Sequence, residues 1–400
     1  MKGVYPLRIS TRALAALAVL AGFAALTGCA KASATTWQSA GSSPSARPSA
    51  SASAAAPVAS ITAPLNGASN VPAATELALS TTDPASTSVT LTDPSGATVP
   101  GAVRPDGSAW VPASPLKYGT AYTATVSTNG AGTTKVAFTT MAKPGRLAHA
   151  STPLEDDQVY GVAMPIVARF DTDVPKDQRA NVERRLFVTS VPAQVGSWYW
   201  FSGSEVHYRP KDYWQEGTKL SVRLAIGGLS FGGTTYGATD LTIRATIGDK
   251  IVMTTDDATK TMTVTKHDQV VKTIPVSLGR PSKPSSSGAM VVMTKSQSEL
   301  FVSTEPGDSY RETVYWTQRM TVGGEYIHAA PWSEGDQGKR NVSHGCTNVS
   351  NTNAKWLYNL THVGDPVIVK GTPRKLEWGN GWTDWDRPWD EYRKGSALPA

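Results

Sequence analysis

Short β-rich runs divided by turn-forming residues restrict the fold of this chain more than any other feature. Between residues 58 and 142 the clearest runs are Leu77-Ala78-Leu79, Val89-Thr90-Leu91, Tyr122-Thr123-Ala124-Thr125-Val126 and Lys135-Val136-Ala137-Phe138. Turn clusters such as Asp93-Pro94-Ser95-Gly96 separate them. This pattern predicts a β-sandwich of about 80 residues. The stretch has no clustered acid, His or Cys, so we expect a spacer or contact module rather than a catalytic domain.

A second β-rich stretch spans residues 143–248, and it predicts another sandwich of immunoglobulin-like size. Its composition predicts one helical interruption between Pro175 and Leu186. The aromatic group Trp198-Tyr199-Trp200-Phe201 suggests either a sugar-stacking platform or core packing, and core packing is commoner in small sandwiches. His207 has no partner at ligand spacing nearby, so we interpret it as structural.

A third region covers residues 249–371 and continues the β pattern. Paired strands are predicted around the turn-like trio Lys266-His267-Asp268. A helix of two to three turns is expected to begin near Ser350 or Asn351, with Trp356, Leu357 and Leu360 on one face. The predicted fold class is therefore mainly β: two immunoglobulin-like sandwiches, a β-rich domain with a short helix, and a Trp-rich C-terminal tail.

The tail, residues 372–400, places Trp378, Trp382, Trp385 and Trp389 at intervals of four, three and four. That spacing is typical of a helical stripe. Because Gly379, Gly381 and Pro388 disfavour a helix, an irregular segment that packs its indoles on the folded domains is the alternative. Packing is the favoured role over glycan stacking.

The amino terminus carries an export pattern. Basic residues precede an apolar run from Ala13 to Leu26, and Leu26-Thr27-Gly28-Cys29 follows as a lipobox. The run is shorter than the roughly 20 residues of a spanning helix, so a permanent membrane helix is the weaker alternative. We expect residues 1–28 to be a lipoprotein signal peptide, with Cys29 lipidated and anchored to the outer face of the cell membrane. An ordinary secretory signal without lipid is the other alternative.

Residues 29–57 are mostly Ser, Ala, Thr and Pro, so they cannot bury enough surface to fold and should form a flexible tether. Removing Lys2, Arg8 and Arg12 with the signal reduces the net charge of +6 to 6 − 3 = +3. This modest charge, with acidic and basic residues interspersed, gives no indication of nucleic-acid binding.

Cys346 is the only cysteine left once the signal and Cys29 are set aside, and a lone thiol in an exported protein suggests a nucleophile. A thiol reacts as thiolate, and a nearby imidazole is the usual activator. His344 is two residues away and better suited to shaping the loop, whereas His328 ends a predicted strand eighteen residues upstream. Gly345 permits a close approach of backbone amides to a developing oxyanion.

The spacing of His328 from Ser343-His344-Gly345-Cys346-Thr347-Asn348 resembles the signature of the L,D-transpeptidase (YkuD) catalytic domain. The flanking sequence Tyr326-Ile327-His328-Ala329-Ala330-Pro331-Trp332 strengthens the resemblance to actinobacterial members. Such enzymes commonly carry two immunoglobulin-like domains before the catalytic domain and a Trp-containing tail after it. The resemblance thus covers the whole chain after the signal.

The resemblance implies a peptidoglycan cross-linking enzyme that needs no metal or organic cofactor. Cys346 would attack the third residue of a tetrapeptide stem, release D-alanine and pass the acyl group to another stem as a 3→3 cross-link, with His328 as base and acid. The Ala329 carbonyl would orient His328, and the loop of His344 and Gly345 would form the oxyanion hole. By the same resemblance, further residues would bind the substrate: Met293, Tyr310, Trp332, Ser343 and Asn348.

Several alternatives stay open beside this hypothesis. An L,D-carboxypeptidase would use water as acceptor, and a non-catalytic wall-binding lipoprotein would keep the fold without the chemistry. A zinc site from His328, His344 and Cys346 lacks paired-ligand spacing and an acidic base. The resemblance also makes carbapenems candidate inhibitors.

Overall fold

The structure is a computed structural model that describes residues 59–128 and 133–399. The predicted signal peptide, the lipidation site Cys29 and the whole predicted tether, residues 29–57, lie outside these residues. Within the described ranges, no helix combines the length and apolar character needed to cross a bilayer.

The first domain is a sandwich of two sheets, with strand orders β1-β3-β7-β6 and β2-β9-β8-β4-β5. Its strands are β1 (Ser60–Ala63), β2 (Ala68–Val71), β3 (Leu77–Ser80), β4 (Thr87–Thr92), β5 (Thr98–Val99), β6 (Gly101–Val103), β7 (Ala109–Pro112), β8 (Ala121–Thr128) and β9 (Thr134–Thr140). Side chains alternate between core and solvent along β8, because successive residues of a strand point to opposite faces. Leu77, Leu91, Trp110 and Phe138 fill the space between the sheets.

The second domain packs two four-stranded sheets, ordered β11-β13-β16-β15 and β12-β20-β17-β14, beside a three-stranded sheet β10-β19-β18. Its strands are β10 (Arg146–Ala148), β11 (Ala150–Ser151), β12 (Gln158–Tyr160), β13 (Ile166–Phe170), β14 (Leu186–Val191), β15 (Gly196–Trp200), β16 (Glu205–Pro210), β17 (Lys219–Leu224), β18 (Ser230–Gly232), β19 (Thr235–Gly237) and β20 (Leu241–Ile247). The predicted helical interruption is confirmed as α1 (Arg179–Glu183), shorter than expected. Trp198 and Trp200 are buried in the core, as the packing alternative predicted.

The third domain is built on a six-stranded sheet, β23-β22-β21-β29-β24-β30, and a four-stranded sheet, β25-β26-β27-β28. Its strands are β21 (Ile251–Asp256), β22 (Thr261–Lys266), β23 (Gln269–Pro275), β24 (Ser286–Val291), β25 (Thr294–Ser303), β26 (Tyr310–Arg319), β27 (Tyr326–Ala329), β28 (Thr347–Val349), β29 (Pro366–Lys370) and β30 (Arg374–Lys375). His267 and Asp268 adopt positive φ in the tight turn between β22 and β23, which confirms the predicted pairing.

The predicted short helix is confirmed as α2 (Asn351–Leu360), which begins directly after β28. Ser350 Oγ accepts a hydrogen bond from Asn353 N at 3.2 Å and so caps the first turn. Leu357 is buried in the core of this domain, and Trp356 and Leu360 pack against that core. The helix therefore anchors the far end of the short strand that follows Cys346.

The C-terminal tail is not a continuous helix. It contains a 3₁₀ turn at Asp384–Asp386, the short helix α3 (Trp389–Tyr392) and a second 3₁₀ turn at Arg393–Gly395. Gly379 and Gly381 have φ of +83° and +102°, values that glycine tolerates and a helix excludes. The indoles pack inward instead: Trp382 is buried, and Trp378 stacks on Phe201 of the second domain.

Candidate active site

Two neighbouring parallel strands bring His328 and Cys346 to one place. In the β27–β28 ladder, His328 is opposite Asn348. Residues two apart on a strand share a face, so Cys346, just before β28, lies on the same side as Asn348 and His328. A crossover between parallel strands requires a long connection, which is why the two residues are eighteen positions apart.

His328 is held in one tautomer by the backbone of the next residue. Its Nδ1–H donates to the Ala329 carbonyl at 2.8 Å, which leaves the lone pair of Nε2 to act as a base. Burial lowers the pKa of His328, although the Ala329 carbonyl acts in the opposite direction. The imidazole is thus neutral near pH 7 and ready to accept a proton.

Burial favours the protonated form of the Cys346 thiol. Burial raises its pKa to about 12, against a backbone hydrogen bond from Tyr326 that lowers it. The thiol contacts the Gly324 carbonyl, with Sγ 3.7 Å from the oxygen. Burial thus favours the neutral form of both the thiol and the imidazole in the free protein.

The loop before Cys346 is braced by serine hydroxyls. Ser343 Oγ donates to the Cys346 carbonyl at 2.6 Å and accepts from Gly345 N at 3.1 Å. Ser285 Oγ donates to the Gly345 carbonyl at 2.6 Å. Gly345 has φ of +123°, a conformation that residues with a side chain rarely adopt. The amide of Gly345 is therefore committed to the loop itself in this state.

A cavity of about 450 Å³ opens over the thiol. Of the substrate-binding residues implied by the resemblance, Tyr310, Trp332, Ser343 and Asn348 line it together with His328, His344 and Cys346. Trp332 is 58% exposed, and its ring centroid lies 6.1 Å from that of His328. Asn348 Nδ2 donates to Ser333 Oγ at 3.1 Å, while its buried Oδ1 has no partner among the described residues.

Met293 does not belong to the lining of this cavity. It follows the end of β24, where its backbone N–H donates to the Arg319 carbonyl at 2.7 Å. Its side chain packs against the hydrophobic cluster that includes Val291 and Trp382. The side chain therefore serves the contact between the third domain and the tail.

Sequence reasoning missed three residues around the site. Glu325 is buried and accepts hydrogen bonds from Ser286 N at 3.0 Å and Ser286 Oγ at 2.7 Å. Phe301 meets the His328 ring edge-on, with centroids 5.4 Å apart. Asp308 bonds to His344 Nε2 at 2.7 Å. For Asp308 a weak signal exists, because Gly307-Asp308-Ser309 forms a turn just before Tyr310.

The zinc alternative lacks a ligand set. Across residues 59–128 and 133–399, no group of three or more His, Cys, Asp or Glu side chains is arranged to hold a metal ion. The arrangement instead suits acyl transfer, because a nucleophile, an oriented base and a substrate-sized cavity lie together.

Comparison with known proteins gives a consistent result. Residues 250–369 match a family described as the L,D-transpeptidase catalytic domain, and residues 68–230 match one described as a bacterial Ig domain. L,D-transpeptidase 2 of Mycobacterium tuberculosis is 33% identical over 342 residues, which cover 83% of this chain and 83% of that protein. L,D-transpeptidase 5 of the same organism is 34% identical over 78% of this chain and 71% of that protein. A solved structure of the LD transpeptidase LdtMt1 in complex with imipenem is 32% identical, covers 57% of this chain and all of that one, and has a TM-score of 0.48.

Proposed function

This chain belongs to the L,D-transpeptidase family, and from that premise we propose that it cross-links peptidoglycan stems through a thioester on Cys346. The family is one of acyl-transferring enzymes. The observation that supports the cysteine mechanism is that His328 on β27 and Cys346, directly before the neighbouring parallel strand β28, line the same cavity. The donor is a tetrapeptide stem that ends in D-alanine.

In the first half-reaction, His328 Nε2 takes the proton of the Cys346 thiol. The resulting Sγ anion attacks the carbonyl carbon of the third stem residue, and a C–S bond forms. The C–N bond to the terminal D-alanine then breaks, and the leaving amine takes the proton from His328. The products are a thioester on Cys346 and free D-alanine.

In the second half-reaction, the side-chain amine of another stem's diamino acid attacks the thioester carbonyl. His328 Nε2 accepts the proton that the amine loses as the new C–N bond forms. The C–S bond breaks, and His328 returns the proton to the sulfur. The product is a 3→3 amide cross-link, and the enzyme is restored without any oxidant, metal or cofactor in the balance.

The location of this chemistry is part of the same proposal. The Leu26-Thr27-Gly28-Cys29 sequence favours lipidation of Cys29 at the outer face of the cell membrane. A tether over residues 29–57 would let the folded domains reach the cell wall above the membrane. Palmitate labelling of the full chain, lost in Cys29→Ala, tests the anchor; unlabelled full chain would favour the ordinary secretory signal.

Carbapenems are the proposed inhibitors. A strained cyclic amide offers Cys346 a carbonyl in the position of the stem carbonyl, and ring opening leaves a covalent thioester. Intact mass spectrometry after exposure to imipenem is expected to show an adduct of one drug mass, absent in Cys346→Ala. Modification of the Ala variant would place the reactive group elsewhere.

The decisive experiment uses residues 55–400, a segment in which Cys346 is the only cysteine. The protein is incubated with a disaccharide tetrapeptide, and the products are analysed by mass spectrometry. A dimer lighter by one D-alanine is expected for the wild type and for His149→Gln, an exposed histidine outside the site. Cys346→Ala and His328→Gln should yield none. Monomeric tripeptide alone would favour the carboxypeptidase, and the absence of any thiol-dependent product would favour a wall-binding protein.

A further inference from the structure

The loop between β25 and β26 carries a carboxylate that three basic side chains hold. Asp308 lies 2.7 Å from Lys283 Nζ and 2.7 Å from His344 Nε2, and it also pairs with Arg280. Lys283 and His344, followed by Arg280, hold the pKa of Asp308 well below its usual range. Lys283 has a second acidic partner in Glu305 of the same loop.

Two of these residues, His344 and Arg280, are tied to the loop of the nucleophile. His344 is two residues before Cys346 and lines the cavity over the thiol. Arg280 N donates to the Ser343 carbonyl at 2.9 Å, so the backbone of Arg280 is fixed to the same loop. The ring of Tyr310, another cavity residue, lies with its centroid 5.0 Å from that of His344. His344 therefore connects the basic cluster to the edge of the cavity.

The proposed donor needs recognition of its free end. Cleavage only at the last peptide bond of the stem leaves a free carboxylate one residue beyond the carbonyl that Cys346 attacks. Binding that carboxylate gives the enzyme a way to select the last peptide bond of the stem. Arginine, lysine and protonated histidine bind carboxylates through short, charge-assisted hydrogen bonds.

We propose that Arg280, Lys283 and His344 form the subsite for the terminal carboxylate of the donor stem, and that Asp308 occupies this subsite until substrate displaces it. The inference rests on the proposed transpeptidase function. Exchanging one carboxylate for another keeps the charge of the subsite balanced. The side chains involved are partly exposed, and ion pairs at such positions are weak enough for a competitor to replace.

Displacement also has a mechanical consequence. Asp308 lies in the segment 304–309, which connects the two long strands of the hairpin and leads directly into Tyr310. When the donor carboxylate replaces Asp308, the contact that holds this segment against Arg280 and His344 is released. The segment is then free to readjust around the bound donor.

The test compares two donors that differ only at the terminal group, a tetrapeptide with a free carboxylate and the same peptide ending in a carboxamide. Release of D-alanine or its amide is measured at a fixed acceptor concentration. The wild type should favour the free acid by roughly tenfold in kcat/KM, the order expected for a charge-assisted contact. Arg280→Gln and Lys283→Gln should raise KM for the acid donor alone and bring the ratio towards one.

Asp308→Asn gives the opposite expectation, since it removes the internal competitor and should lower KM for the acid donor. Lys339→Gln is the matched control, because it removes one charge from an exposed lysine outside the cluster, whose ammonium donates to the Gly335 carbonyl. For Lys339→Gln, the ratio of kcat/KM for the acid donor to that for the carboxamide donor should equal the wild-type ratio. Melting temperatures verify that every variant folds.

Three results would overturn the inference. Equal use of both donors by the wild type would remove the carboxylate subsite while leaving the transpeptidase function intact. A higher KM for both donors in Asp308→Asn would make Asp308 a simple loop contact. If Lys339→Gln lowers the acid-to-carboxamide ratio as much as Arg280→Gln and Lys283→Gln do, the effect comes from net charge. If the wild type releases product from neither donor, the proposed function itself fails.

Discussion

His207 Nδ1 lies 3.1 Å from both carboxylate oxygens of Asp384, which joins the second sandwich to the C-terminal tail through a buried ion pair. Its Nε2 lies 2.8 Å from Glu205 Oε1. Tyr392 Oη completes the network by donating to Asp384 Oδ1 at 2.9 Å. The histidine that the sequence indicated as structural thus fastens the tail to the second domain.

This network predicts a loss of stability in mildly alkaline solution. Burial opposes the charged imidazole, but Asp384 and Glu205 raise the pKa of His207 to about 9 from 6.5. A raised folded-state pKa stabilises the fold fully below pH 6.5, and the contribution disappears as the pH rises through 9. The difference is about 3 kcal/mol. The melting temperatures of the wild type and His207→Gln should converge between pH 6 and 9. A difference in melting temperature that stays constant over this range would contradict the prediction. His149→Gln is the control.

The buried carboxyl of Asp365 leads to a second prediction, in which the stability of the fold depends on pH over a different range. Burial raises the pKa of Asp365 to about 8 from 3.8, and its Oδ1 has no partner among the described residues. Because the folded pKa is the higher one, the associated stability is complete below about pH 4 and falls as the pH approaches 8. Asp365→Asn removes that dependence, so its melting temperature relative to the wild type should rise from pH 5 to pH 8. A pH-independent difference would show that the carboxyl does not titrate in this window.

The thiol of Cys346 should react slowly with alkylating agents at neutral pH. Its raised pKa of about 12 means that little thiolate exists at pH 7 in the free enzyme. The rate of iodoacetamide modification, followed by intact mass, should therefore climb steadily from pH 7 to pH 10. A plateau already reached below pH 8 would reveal a preformed thiolate–imidazolium pair with His328 instead.

Gly345→Ala should reduce acylation while the fold persists. The backbone φ of +123° is strained for alanine, and the cost is on the order of 1–3 kcal/mol. Steric clash is not the cause, since an added Cβ would meet only Glu325 Cγ at 3.8 Å. We expect slower imipenem adduct formation and a modestly lower melting temperature. Gly335→Ala, in open space with no positive φ, is the matched control, and equal effects in both variants would refute the argument.

Local sequence patterns were sufficient to predict much of the fold and the two central residues of the site. Alternating apolar residues marked strands such as β8, and a Ser cap followed by apolar residues at helical spacing marked α2. The lone Cys346 and the spaced His328 indicated the chemistry from their residue types. These features could be predicted because they depend on residues close together in sequence, or on residue types whose chemistry is known without the fold.

Contacts between distant segments were decided by the tertiary structure. Asp308 and His344 are 36 residues apart, and His207 and Asp384 are 177 apart, so no local pattern could pair them. For the tail, the sequence left a helix and an irregular segment with packed indoles open; the structure shows the irregular segment, with Gly379 and Gly381 at positive φ and Trp378 stacked on Phe201.

The sequence by itself determined the mainly β architecture, the family and the reactive pair His328 and Cys346. Strand periodicity, turn chemistry and the spacing from His to Cys can all be read from short stretches of sequence. Only the tertiary structure decided that Met293 packs near Trp382 instead of lining the cavity, and that Asp308 sits among Arg280, Lys283 and His344. The physical reason is that burial and charge pairing depend on which surfaces meet in space, and that information is not contained in any single stretch of the chain.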